Sequence, residues 1–162
     1  MATTQPGDAS TLLQTLNDEA AAVTHFIGLL QQEQTALTQG LTDELPALVA
    51  QKDLLAEQLT TLTLQRNTLL ARHGLPSDRP GIEAWCKQNQ ERNDVADAWA
   101  SVMACAAEAK ELNRVNGELI SLRMQHNARA LEALRSGEQP LSLYGPDGQS
   151  QAPNSRRIND SV

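Results

Sequence analysis

Leu112-Asn113-Arg114-Val115-Asn116-Gly117-Glu118-Leu119-Ile120 lies in the middle of the stretch, Glu91 to Gly137, whose reading decides the fold. Steps of three and four residues put Leu112, Asn113, Asn116, Leu119, Ile120, Arg123, Asn127, Leu131 and Leu134 on one broad side of a long helix. Asparagine among leucines costs stability in a core unless its amide is paired. Two readings follow. The Asn side chains pair with neighbouring helices inside a bundle and fix their register. Alternatively, part of the face stays open and receives an amphipathic helix from a partner, with Leu and Ile giving area and Asn and Arg123 giving specificity. Gly117 costs about 1 kcal/mol relative to Ala within a helix. It suits a close helix crossing, and equally a tolerated defect.

Working outward, Leu13, Leu16, Ala20, Val23, Ile27, Leu30, Leu37 and Leu41 form a heptad seam, interrupted at Gln34, for a first helix over about 10–39. Asp8 or Ser10 can cap it and Gly40 ends it. A second helix over about 43–73 places Asp43 and Glu44 at its start and Pro46 in its first turn. Its seam runs through Leu45, Leu48, Lys52, Leu55, Leu59, Leu62, Arg66 and Leu69. Lys52 and Arg66 are expected to lay their stems along the seam with their charges in water. Gly74 and Pro76 stop this helix. A short helix over about 81–89 carries Ile82 and Trp85, and Trp85 and Trp99 are expected to hold it against the bundle. The third long helix spans about 91–135. The fold class is therefore all-α: an antiparallel three-helix bundle, or helical hairpin, with a longer third helix. Residues 1–137 form the helical domain. Residues 138–162, rich in Gly, Pro, Ser, Asn and Gln, form a disordered tail.

Composition narrows the function. Only 2% of residues are aromatic against 40% hydrophobic, so the core is built from Leu, Ala, Val and Ile. Net charge is −7, and residues 1–40 hold Asp8, Asp18, Glu19 and Glu33 without one Lys or Arg. That first helix is read as a solvated acidic face, or as a partner-steering surface. No basic stripe exists to neutralise phosphates or an anionic membrane. No signal peptide or membrane span is read, and Cys86 and Cys105 are expected as reduced thiols. His25, His73 and His126 fall on different elements without metal-ligand spacing, and no nucleophile or phosphate-loop signature occurs. The sequence implies no enzyme, cofactor or metal. Tyr144, beside Pro146-Asp147-Gly148, is presented at a turn, available to a partner or to its own bundle.

Asn113-Arg-Val-Asn116-Gly117-Glu-Leu119-Ile120, then Asn127 with Ala130-Leu131 and Leu134, and the tail Leu143-Tyr144-Gly145-x-x-Gly148 together resemble the FlgN family of flagellar export chaperones. The resemblance implies a cytoplasmic, non-enzymatic chaperone for the C-terminal helical segments of the hook–filament junction (hook-associated) proteins FlgK and FlgL. It would keep these clients from early assembly and deliver them to the type III export gate. The client-binding region maps onto the face from Leu112 to Leu134. The tail position that engages the gate protein FlhA maps onto Tyr144, with Gly145 beside it. Heptads alone fit two other readings: a coiled coil serving self-association, for instance as a homodimer, and a helical regulator or chaperone of another client.

Overall fold

The computed structural model describes residues 6–137, and among them the regular structure is helical, without a strand. The all-α bundle expected from the heptads is the fold. Helix α1 spans Pro6–Gln39, α2 Leu45–Arg72, α3 Asp78–Gln88 and α4 Asn93–Gly137, with a 3-10 turn at Thr42–Glu44 before α2. The chain divides into two units at Leu122 and Arg123, and each is described by itself.

Helix α1 starts at Pro6, four residues before Ser10, because proline is tolerated in a first turn and Asp8 there favours the helix N-terminus. Gly40, at φ 81°, takes the left-handed conformation that ends α1, and Gly74, at φ 67°, does the same for α2. At the second of these ends Leu75 N–H reaches back to the Leu70 carbonyl at 3.0 Å. Helix α3 begins at Asp78, three residues before Gly81. Asp78 itself has φ 60°, held by a reciprocal pair with Asn67: its N–H donates to Asn67 Oδ1 at 2.8 Å, and Asn67 Nδ2 donates to Asp78 Oδ1 at 3.0 Å. Pro80 then falls in the first turn, where a missing N–H costs nothing. Gly81 packs so closely on the preceding loop that a Cβ would lie 1.9 Å from the Pro76 carbonyl oxygen. Helix α4 is continuous through Gly117, where a Cβ would meet nothing within 4 Å. Among the described residues Gly117 marks no close crossing.

The core has two clusters. One gathers Leu12, Leu16, Leu69, Leu70, Ile82, Trp85, Val95 and Val102 from all four helices; Trp99 and Cys86 pack at its edge. The other holds Leu29, Ala36, Leu48 and Leu55 of α1 and α2. Each buried Leu contributes on the order of 1.5–3 kcal/mol.

Two expectations about charge are corrected. Arg66 does not keep its charge in water: it is 6% exposed, donates Nη1 to the buried Glu19, and lies 5.2 Å over the Trp99 ring. Lys52 is half-buried and donates Nζ to Glu33 Oε1 at 2.7 Å. Helix α1 is accordingly not a uniformly solvated acidic face, because Glu19 and Glu33 point into the bundle. An acid in a core needs a counter-charge and a base on the facing seam supplies it, so all four heads come out of water together.

Candidate partner-binding face

Within the first unit, one line of α4 faces inward: Val95, Ala98, Val102 and Asn116 are buried, with Cys105, Ala109, Leu112 and Leu119 half-buried between and beyond them. The three- and four-residue steps of this line bring Asn116 against α1. Its Nδ2 donates to the Leu30 carbonyl at 2.8 Å and to Glu33 Oε2 at 2.9 Å. Lys52 holds the other oxygen of Glu33, so one carboxylate ties α1, α2 and α4 together. Of the two readings of the asparagines, internal pairing describes Asn116.

Asn113, Gly117 and Ile120 form a second line one residue further on, about 100° around the helix. All three are exposed, Ile120 to 40%. The nine candidate residues thus do not share a single surface. Leu112, Asn116 and Leu119 belong to the inward line, while Asn113 and Ile120 lie on the outward one. Arg114, beside this line, is clamped between Glu111 and Glu118, a solvated ion-pair network whose nearby carboxylates raise the guanidinium pKa.

The second unit, from Arg123, contributes the end of α4. Arg123 is half-buried, and every residue from Met124 to Gly137 is exposed. Met124, Asn127, Leu131 and Leu134 repeat at steps of three and four, with Met124 68%, Leu131 57% and Leu134 67% exposed. Arg123, Arg129 and Arg135 stand against the single acid Glu132, so this stretch is basic in an acidic chain. Met124 belongs to this line by its spacing from Ile120 and Leu131, a signal the sequence itself carries. Tyr144 and Gly145 lie outside the described residues.

Chemistry is sparse. Burial pushes the Glu19 carboxyl above its usual range, with Arg66 pulling the other way. Burial also raises the Cys86 thiol, which keeps it protonated. Among the described residues no group of three or more His, Cys, Asp or Glu could hold a metal ion, and no helix is long and apolar enough to cross a membrane.

Fold and face together define a helical protein that ends its longest helix in an exposed, basic, apolar-striped segment. The chain belongs to the FlgN family: the family model described as FlgN protein matches residues 1–152. The Flagella synthesis protein FlgN of Salmonella typhimurium is 31% identical over 96 residues, which cover 57% of this chain and 65% of that protein. The chain thus spans less than two thirds of that relative's length. The Flagella synthesis protein FlgN of Escherichia coli K12 is 24% identical over 139 residues, 86% of this chain and 89% of that protein. No solved structure matches.

Proposed function

We propose that this chain is a cytoplasmic flagellar export chaperone. It binds the C-terminal helical segments of hook–filament junction proteins of the FlgK and FlgL type, keeps them from assembling early, and delivers them to the type III export gate. The observation that carries this reading is the exposed end of α4, with Met124, Leu131 and Leu134 at heptad steps, in a chain of the FlgN family. A client helix that will later pack into a filament must present an apolar stripe, and this stripe is its temporary partner. Asn113, Ile120, Asn127, Leu131 and Leu134 contact the client, with Leu112, Leu119 and Arg123 beside them. The Asn116 amide is already committed to α1. Tyr144 with Gly145 contacts the gate protein FlhA, on the family resemblance of the tail.

The test is calorimetric titration of the full chain with the C-terminal helical segment of a FlgK-type protein of the same organism. The expected outcome is a dissociation constant in the micromolar range or tighter. It weakens at least about tenfold in Leu131→Ala with Leu134→Ala, while circular dichroism stays unchanged. Absence of binding by the folded wild type would overturn the reading.

A further inference from the structure

We infer that the exposed end of α4 selects its client helix by charge. Arg123 on one edge of its apolar line and Arg135 on the other take a helix that carries carboxylates on both edges of its own apolar stripe. The inference deepens the client reading and rests on it, because it names the chemistry that a client helix must carry.

The geometry lies wholly within the second unit. Met124, Asn127, Leu131 and Leu134 keep to one line of the helix. At about 100° per residue, Arg123 falls roughly 60° to one side of that line's centre and Arg135 roughly 60° to the other. Ala130 and Ala128 occupy the positions next to them, so within this segment the two guanidiniums are the charges that border the line. Arg129 falls on the opposite side of the helix, and Glu132 lies about 120° from the line's centre. Arg123 and Arg135 are separated by about 18 Å along the axis. A helix docked on the line therefore meets one cation near each end, on opposite edges.

These cations are available, where others in the chain are not. Arg66 pairs with Glu19 and Asp78, Arg79 with Glu83, Arg92 with Asp94, and Arg114 with Glu111 and Glu118. Among the described residues no carboxylate pairs with Arg123 or Arg135. An apolar line with a cation on each edge is the complement of a helix whose apolar stripe is flanked by Asp or Glu. The planar guanidinium fork matches a carboxylate, which a Lys ammonium on the client would not offer. The chain's net charge is −7, and exposed acids of the hairpin such as Asp18, Asp53 and Glu57 repel an acidic helix. Such a helix is therefore confined to the basic segment. A lipid surface fits this segment less well. The line is narrow, has Asn127 at its middle and no aromatic side chain, and an anionic bilayer would repel the rest of the chain.

The deciding measurement is titration of the full chain, by fluorescence anisotropy, into two labelled synthetic helices. Both carry the same Leu/Ala apolar stripe; one has Glu at the flanking positions and the other has Lys. Wild type should bind the Glu helix about tenfold more tightly than the Lys helix at low salt. The ratio should fall toward unity at about 1 M sodium chloride, where charges are screened beyond about 3 Å. Arg123→Glu and Arg135→Glu should each lower the ratio by at least about threefold. Arg129→Glu makes the same change of charge on the opposite side and should leave the ratio within about twofold. Circular dichroism checks that all three variants remain helical. Equal affinity of wild type for the two helices would overturn the inference and leave the client reading standing. So would edge variants that keep the wild-type ratio, or an Arg129→Glu effect as large as theirs, which would reduce selection to net charge. Preference for anionic phosphatidylglycerol vesicles over the Glu helix would also overturn it, as would failure to bind either synthetic helix by a chain that binds the FlgK-type segment. Failure to bind that segment as well would remove the client reading together with the inference.

Discussion

Lys52 Nζ meets Glu33 Oε1 at 2.7 Å, two heptads along the α1–α2 seam from the point where Arg66 meets Glu19. The acids stand fourteen residues apart on α1, and the bases stand fourteen residues apart in reverse order on α2. In an antiparallel hairpin only one register satisfies both pairs. A slip of one heptad would leave two carboxylates and two cations in the core without partners, at several kcal/mol for each uncompensated buried charge. Leucine seams alone tolerate such slips, so the buried ion pairs act as register pins rather than as sources of net stability.

Reversing one partner tests this. Lys52→Glu places a second acid against the buried Glu33 and should cost about 3–5 kcal/mol in urea unfolding, as for a broken buried pair. Adding Glu33→Lys restores opposite charges at the same two positions, and Asn116 can turn its amide oxygen toward the new ammonium. The double reversal should recover most of the loss. If it is no more stable than the single change, the pair does not set the register.

The two helical glycines with contrasting surroundings give opposite expectations. Gly117→Ala adds a methyl group where nothing lies within 4 Å, in the middle of a continuous helix. It should raise stability by up to about 1 kcal/mol. Gly81→Ala drives a Cβ to 1.9 Å from a backbone oxygen that cannot rotate away. It should cost about 3 kcal/mol or more and loosen α3, with faster amide exchange around Ile82 and Trp85 as the local signature.

Glu19 gives the pH dependence. Burial holds its folded-state pKa above the ordinary 4.5, and Arg66 pulls it back. The folded chain therefore binds this proton more readily than the unfolded one. The corresponding stability is fully present below 4.5 and is lost as pH rises through the folded value. Arg66→Leu removes the cation that pulls the pKa down, so the shift grows and the loss of stability with rising pH becomes steeper. Near neutral pH the variant should lose about 3–5 kcal/mol. At lower pH, as Glu19 takes up its proton, the loss should be clearly smaller. Equal losses at both pH values would place the burden on lost packing over Trp99 instead.

Period and punctuation made the helices legible. Leu spacing, Pro46, Gly40 and Gly74 located α1 and α2 because each acts through local backbone physics. The start of α3 was not legible, since it depends on Asn67, eleven residues upstream, holding Asp78 in a left-handed conformation that a non-glycine residue rarely adopts. Nor were the ion pairs, although the sequence carried their signal. Glu19 and Glu33 lie one residue before the seam positions Ala20 and Gln34 of α1, while Lys52 and Arg66 stand on the seam of α2, and equal spacing in opposite order is what an antiparallel pairing requires. A lone seam charge reads as a snorkelling stem; only matching two helices shows that it is buried. On α4 a broad face of nine residues was legible, but its division into an inward line through Asn116 and an outward line through Ile120 was not. The two lines differ by one residue, and only packing against α1 shows which is covered.

Asn127 interrupts the apolar line of Met124, Leu131 and Leu134. An amide there loses water when a helix docks on it and recovers that loss only if the partner offers a hydrogen bond. It therefore weakens any purely apolar docking and favours release. Asn127→Leu removes the desolvation cost and adds contact area in the middle of the line. Because residue 127 is exposed, the thermal midpoint should move little. Affinity for a client helix in calorimetry should rise by about tenfold, corresponding to about 1.4 kcal/mol, and dissociation should slow by a similar factor. A chaperone that releases its client too slowly should then export less of it, although it binds more. Affinity that stays level or falls in Asn127→Leu would mean that Asn127 makes a specific polar contact with the client, and that this line of α4 selects its partner by hydrogen bonding rather than by moderated apolar contact.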